Sequence, residues 1–284
     1  MASRRDVFNR LWRTAAECYP DEEARQIAEM ILLARGAMSR NEFIVNPNEE
    51  LYIDDLDALE EQLREWRPVQ YILGVAEFMD MSLAVNEGVL IPRPETEELV
   101  EWIASQCAPE ARILDICTGS GCIAIALRRL VEHSRVWALD ISDDALAVAR
   151  YNAERYAPDV EVMYGDALAE FSALVERKMD VVVSNPPYIP SRDIALMRRN
   201  VVDHEPHMAL FVPDDDPLVF YRAIARTSRA VLREGGYLYF EIYESLAEDM
   251  VSMLEQEGYI DISLRHDFRL KPRMICARYS AKTI

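Results

Sequence analysis

Beyond Pro94 the chain alternates short apolar runs with longer amphipathic stretches, and this pattern restricts the fold more than any other feature of the sequence. The runs are 112–116, 135–139, 160–164, 181–184, 236–242, 260–264 and 274–277. Between them lie 95–107, 122–131, 143–156, 168–177, 217–233 and 245–257, each long enough for the crossover helix that joins parallel strands. The pattern predicts an α/β domain over residues 91–284, with a mostly parallel sheet, an antiparallel last strand, and helices on both faces.

The first 74 residues read differently, as a small helical bundle. Helices are expected over 4–18 and 21–35, the second with Ile27, Met30, Ile31 and Ala34 at helical spacing and a stop at Gly36. A third spans 39–45 and ends at Asn46-Pro47; a fourth spans 51–66 and stops before Pro68. Residues 75–90 then switch to near-alternation (Phe78, Met79, Met81, Leu83, Val85) around Asn86-Glu87-Gly88, which predicts a β-hairpin linking bundle and sheet domain.

Composition narrows the class of function. Among 284 residues, 31 Lys and Arg face 50 Asp and Glu, a formal charge of -19. That balance disfavours a nucleic-acid substrate, whose phosphates are held by displacing counterions with Lys and Arg. The five cysteines, Cys18, Cys107, Cys117, Cys122 and Cys276, contain no C-x-x-C pair and read as reduced thiols, with no metal site expected. The pair His204 and His207 lacks accompanying ligands, and Asp214-Asp215-Asp216 reads as a solvated loop. No stretch approaches the roughly 20 apolar residues of a membrane helix, and the opening residues have no signal-peptide core, so a cytoplasmic protein is expected.

The strand at 112–116 runs directly into Cys117-Thr118-Gly119-Ser120-Gly121, followed by a helical stretch. Ligands of open α/β sheets bind at this end of the strands, where glycines let a ligand approach the backbone. Alone, the motif also fits an empty tight turn. Two further acids add to it: Asp140, followed by Ile141, ends the next strand, and Asp166 ends the third after Gly165. Each fits a helix N-cap taken singly. Together with Asp115 they line up three carboxylates at one rim, which would repel a pyrophosphate and suit a cationic nucleoside such as S-adenosylmethionine. Asp115 would lie near its amino acid portion, Asp140 at the ribose and Asp166 near the adenine amine.

The fourth strand ends in Asn185-Pro186-Pro187-Tyr188. Two prolines stiffen the turn and remove two backbone donors, so the Asn185 side-chain oxygen and the Pro186 carbonyl would project as acceptors. Two acceptors can hold both N–H bonds of a planar amide or amine and aim its out-of-plane face at an electrophilic methyl group. Tyr188 can pack on that flat group and exclude water. Ordinary turn chemistry is the plain alternative for this tetrapeptide taken alone.

At these residues the chain resembles the class I methyltransferases, and more closely the HemK/PrmC family of protein-(glutamine-N5) methyltransferases. The resemblance also rests on Arg67-Pro68-Val69-Gln70-Tyr71-Ile72-Leu73-Gly74 with Phe78, and on Leu90-Ile91-Pro92-Arg93-Pro94-Glu95-Thr96-Glu97. It implies a Rossmann-like methyltransferase sheet and S-adenosyl-L-methionine as cofactor. The implied substrate is the glutamine of the Gly-Gly-Gln loop of peptide-chain release factors, with the helical bundle docking the factor and the chain acting as a monomer. By the same resemblance Cys117 to Gly121, Asp140, Ile141, Asp166, Ala167 and Asn185 surround the cofactor. Asn185 to Tyr188 clamp the glutamine, bordered by Arg93, Glu95 and Glu97. Departures fall at Cys117, where the family usually has Gly, at Ala167, where it often has a bulky residue, and at Glu241-Ile242-Tyr243-Glu244 in place of Glu-Ile-Gly. Asn-Pro-Pro-Tyr is also similar to the turn of enzymes that methylate a base of rRNA or DNA, the alternative reading.

Overall fold

Ser3 and Asp6 exchange hydrogen bonds around the first turn of α1 (Arg4–Ala15), and Ser39 with Glu42 repeats the device on α3 (Arg40–Val45). Each box satisfies backbone donors that a helix start leaves unpaired. α2 (Asp21–Arg35), α4 (Leu56–Arg64) and α5 (Val69–Leu73) complete the helices of this part. Val7, Leu11, Ile27, Ile31, Leu32, Leu59 and Leu63 form its core. Burying each such side chain contributes about 1.5–3 kcal/mol before ordering costs. The fourth helix starts at Leu56 rather than 51, because Glu50–Leu51 pairs with Ala2–Ser3 as a short antiparallel ladder. α5 was not anticipated. Pro68 acts as its N-cap, a place where proline is tolerated, and Gly74 closes it in the left-handed conformation at φ 73.

The structure, a computed structural model, describes residues 2–174 and 178–281. Its contacts divide the chain into two units, Met1–Val75 with Met197–His204, and Ala76–Leu196 with Glu205–Ile284. Within the first unit, Arg198 bonds both oxygens of Glu23 at 2.8 Å, and the His204 ring lies 2.7 Å from the Glu65 carbonyl. A segment distant in sequence is thereby part of the helical unit.

A hairpin follows, β1 (Val75–Phe78) and β2 (Met81–Ala84), which from Ala76 onward belongs to the second unit. Its turn is Met79-Asp80, with φ 48 and 58, and not Asn86-Glu87-Gly88 as the sequence suggested. Both central residues of such a turn need positive φ, and without glycine or asparagine the turn carries no sequence signal. Contacts from outside hold it: the Met79 N–H donates to Glu97 Oε1 at 2.8 Å, and Ser82 and Ala84 bond Tyr156 and Asn152 of α8 (Asp143–Tyr156).

Then follow α6 (Pro94–Gln106), β3 (Arg112–Ile116), α7 (Cys122–Leu130), β4 (Arg135–Asp140), α8, β5 (Glu161–Tyr164) and β6 (Met179–Ser184). The chain closes with α9 (Val219–Val231), β7 (Leu232–Glu241), α10 (Ala247–Gln256), β8 (Tyr259–His266) and β9 (Pro272–Tyr279). The sheet order is β8-β9-β7-β6-β3-β4-β5, parallel except for β9, as the sequence predicts. Leu99, Val100, Ile103, Ile123 and Leu127 pack on one face, and Tyr221, Ile224, Met250 and Leu254 on the other.

The helix expected over 168–177 is not found in its described part, where only a short turn, Ser172–Leu174, occurs; 175–177 lie outside the described residues. Asp166 and Glu170 each accept a backbone N–H two residues ahead, at 2.8 and 3.1 Å, a local bond that competes with helix. The strand order reverses between β3 and β6. Connections leaving these neighbours diverge to opposite faces, and a crevice opens beyond their carboxyl ends.

Candidate active site

Beyond β3 the chain turns at Cys117, φ 60, and Gly119, φ 54, and enters α7 through Gly121, φ 82. A Cβ at Gly119 would meet nothing within 4 Å, so this backbone borders open space; at Gly121 it would press on Ile125 at 3.1 Å, against the helix packing. The loop is pinned from several sides. Gly119 N–H donates to Asp140 Oδ2 at 2.9 Å, Thr118 N–H to the Leu139 carbonyl at 3.0 Å, and the Thr118 hydroxyl to Asp115 Oδ2 at 2.6 Å. Asn152, fully buried on α8, gives one amide proton to the Ser120 carbonyl at 2.9 Å while its oxygen takes the Ala84 N–H at 2.7 Å.

One cavity of about 390 Å³ lies over this loop. Its walls include Cys117, Thr118, Gly119 and Ser120, Asp140 and Ile141, Asp166 and Ala167, and Asn185, Pro187 and Arg93. Apolar surface comes from Val89, Leu90, Leu168, Met208, Phe211 and Phe220, which the sequence reading did not single out. Asp140 also accepts the Ser142 N–H at 3.0 Å, so each of its oxygens has one backbone donor and retains lone-pair capacity. Asp166 Oδ1 takes the Leu168 N–H at 2.8 Å.

Six of the expected residues are not on that wall, Gly121 among them, which instead packs toward Ile125 at the start of α7. Asp115 is fully buried beneath the loop, where it accepts the Thr118 hydroxyl; burial raises its pKa to about 7. Glu97 reaches away to the hairpin at Met79, and Glu95 is likewise absent from the lining. Pro186 is buried and is not among the residues lining the cavity, although Asn185 and Pro187 on either side of it are. Tyr188 lies beside Tyr243, ring centroids 6.0 Å apart at 21°, with its hydroxyl 3.1 Å from Glu241 Oε1. Its phenol is raised in pKa by burial and by that carboxylate. Arg93, though on the wall, is paired with Glu205, which also takes the Ile91 N–H at 3.2 Å.

Behind Asn185 lies a buried set that sequence reading passed over. Thr96 donates to Glu241 Oε2 at 2.6 Å, and Asn185 Nδ2 approaches the Thr96 hydroxyl at 3.5 Å. Glu241 and Thr96 are each 2% exposed, and burial raises the Glu241 pKa. Thr96 shares the inward face of α6 with Leu99, Val100 and Ile103, a helical spacing visible in the sequence. His207 packs edge-on against Phe211, and no cluster of metal ligands occurs among the described residues.

The lining suits a nucleoside bearing a cationic centre. Two carboxylates with spare acceptor capacity flank an apolar slot, and the backbone at Gly119 is open to close approach. No helix among the described residues is long and apolar enough to cross a membrane.

Residues 94–204 match the methyltransferase small domain family. A solved methyltransferase from Pyrococcus furiosus aligns at 15% identity with a TM-score of 0.53, over 71% of this chain and 90% of that one, a likeness of fold. The release factor glutamine methyltransferase of Bacteroides thetaiotaomicron is 39% identical over 266 residues, which cover 92% of this chain and 95% of the relative. Its counterpart in Flavobacterium psychrophilum is 38% identical over 270 residues, covering 92% and 93%. Identity at this level across nearly the whole of both sequences goes well beyond a shared domain, and the chain belongs to the release factor glutamine methyltransferase family.

Proposed function

We propose that the protein transfers a methyl group from S-adenosylmethionine to the side-chain amide nitrogen, N5, of the glutamine in the Gly-Gly-Gln motif of peptide-chain release factors. The observation that carries this reading is that Asn185 lines one cavity with Gly119, Asp140 and Asp166, so an amide-orienting group and a nucleoside slot share a space. The names of the relatives support the substrate. The cofactor supplies an electrophilic methyl group on a sulfonium.

Asp140 would take the ribose hydroxyls with its remaining lone pairs, and Asp166 the adenine amine. Cys117, Thr118, Gly119, Ser120, Ile141 and Ala167 would enclose the rest. Asn185 Oδ1 would accept one N–H of the glutamine amide and hold the group flat. An amide nitrogen is a poor nucleophile, because its lone pair is shared with the carbonyl. Orientation against the methyl and exclusion of water are what the site contributes. Transfer would exchange the S–C bond for an N–C bond and leave the nitrogen with one proton to lose, for which no strong base would be needed. The first unit would dock the release factor, with Arg93 beside the entering loop.

Incubation with labelled S-adenosylmethionine and a recombinant release factor, followed by mass spectrometry of the Gly-Gly-Gln peptide, tests the reading. One added methyl on glutamine is expected, and none on a Gln→Ala substrate. Label entering ribosomal RNA with the peptide unmodified would overturn it.

A further inference from the structure

Glu241 ends β7 among apolar neighbours, 2% exposed and facing two hydroxyls, Thr96 at 2.6 Å and Tyr188 at 3.1 Å. The nearby Arg273 guanidinium is engaged elsewhere, with Asp267 at 3.2 Å, Glu244 at 3.5 Å and the Ile242 carbonyl at 3.3 Å. A buried acid placed so close to a reaction cavity is costly unless both its oxygens are used.

The order of donors follows from elementary valence. Each Glu241 oxygen faces one hydroxyl, Thr96 donating to Oε2 and Tyr188 to Oε1, so the carboxyl accepts from both. Thr96 has one hydroxyl proton, and Glu241 takes it. Toward Asn185, at 3.5 Å, the Thr96 oxygen can then only accept, and the asparagine group facing it must be the NH2. Asn185 Oδ1 is therefore turned away from Thr96, and it accepts no hydrogen bond among the described residues.

We propose that Glu241 is a positioning residue for methyl transfer: by taking the Thr96 and Tyr188 hydroxyl protons, it dictates that Asn185 offers an oxygen, and not an NH2, to the incoming amide. This rests on the reading of Asn185 given above. A side chain in contact with neither substrate nor cofactor thus sets the polarity of the group that meets the substrate.

Glu241→Gln keeps shape and size but carries an NH2. Among the described residues the Tyr188 hydroxyl has no acceptor other than Glu241, so the arrangement that keeps it donating puts the new NH2 against Thr96; Thr96 then accepts that NH2 and turns its own proton to Asn185, whose amide flips. The flipped amide presents N–H to N–H. The expected result is a fall in kcat of about tenfold or more, with S-adenosylhomocysteine affinity, read by calorimetry, within about threefold of the parent. Acting through Thr96 also predicts epistasis: in a Thr96→Ala background the same change should cost less than about threefold. Thr96→Ser, which keeps the hydroxyl, should retain activity.

Glu241→Gln with kcat within about twofold of the parent would overturn the proposal, as would a full, additive loss in the Thr96→Ala background. Should Glu241→Gln fail to fold, Thr96→Ala and Thr96→Ser decide it: kcat lost in the first and kept in the second supports the relay, and unchanged kcat in Thr96→Ala overturns it. Asn185→Ala run alongside separates the two readings. If it leaves glutamine methylation intact, the role of Asn185 itself fails; if it abolishes methylation while Glu241→Gln does not, only the positioning fails.

Discussion

The glycine-loop wall of the cavity is held by its backbone groups, whereas the Asn185 wall is held by side chains buried behind it. On the first, the loop's main-chain groups are the ones held, the Gly119 N–H by Asp140, the Thr118 N–H by the Leu139 carbonyl and the Ser120 carbonyl by Asn152, and three residues take positive φ. On the second, Asn185, Thr96, Glu241 and Tyr188 form a chain of side-chain bonds whose directions depend on one charge. A backbone wall fixes shape and tolerates changes in what faces it. A side-chain wall fixes the polarity of one atom and loses it when any member is changed.

The sharpest break of that comparison is a split in kinetics. Asn185→Ala should lower kcat by on the order of a thousandfold with little change in cofactor affinity, since it removes an orienting contact made to the reacting group. Asp140→Ala should act in the opposite sense, weakening cofactor binding by about 10–100-fold, the worth of a charge-assisted hydrogen bond. Calorimetry with S-adenosylhomocysteine and steady-state rates would separate them. If both variants lost kcat and affinity together, the two walls would not be independent.

Asp115 offers a pH test of the loop wall. Burial holds its folded pKa at about 7, against 3.8 for the free side chain. Between these values the unfolded chain releases its proton while the folded one keeps it. The contribution to stability is therefore full below about 3.8, falls as pH rises, and is gone above about 7. Asp115→Asn should match the parent near pH 4 and exceed it at pH 8 by up to about 4 kcal/mol. Urea unfolding of the ligand-free protein at both values would show it. An unchanged difference across that range would mean the carboxyl is not protonated in the fold.

A smaller effect is expected at Asn152, which ties the loop at Ser120 to β2 at Ala84. Asn152→Ala leaves a buried N–H and two carbonyls without their partner and should cost about 2–3 kcal/mol of stability. Loss of the loop's anchor predicts weaker cofactor binding as well. Full affinity in a destabilised variant would show that main-chain bonds alone suffice for this wall.

The two walls also differed in how far they could be read from sequence. The glycine turn, Asp140 and Asp166 sit at or just beyond the ends of apolar runs, and the first of these ends is the most legible because β3 is buried on both faces. Asp115 belongs to the first of these runs, but one residue of strand parity separates a carboxylate at the rim from one beneath the loop, and Ile113, Leu114 and Ile116 around it give no sign of which. On the other wall, Glu95 and Glu97 were expected beside the substrate because the resemblance sets their run at the border of the pocket. The residue that reaches the site is Thr96 between them, set by helical phase on the face of Leu99 and Val100. Glu241 stood out in the sequence only as part of a departure from the family's Glu-Ile-Gly, because its partners come from residues 96 and 188, which only the assembled fold brings together. The Met79-Asp80 turn and the short turn at 172–174 escaped for the same reason: contacts from elsewhere, or a single local hydrogen bond, overrode propensity.

Cys117 gives the smallest effect and the finest discrimination. The resemblance marks it as a departure from glycine, and the structure supplies the cost: φ 60, a conformation that a residue with a Cβ adopts at a penalty of about 1–2 kcal/mol. Against that, its side chain packs beside the core of β3 and α9 and lines the cavity, and glycine would lose those contacts and gain chain entropy when unfolded. Relief of strain should prevail narrowly, so Cys117→Gly is expected to gain about 0.5–1 kcal/mol in urea unfolding. Because the substitution acts on a wall shaped by backbone, kcat at saturating cofactor should stay within about twofold. A destabilised Cys117→Gly would show that thiol packing outweighs the torsional cost, and a lowered kcat would show that this loop, too, governs the reacting amide.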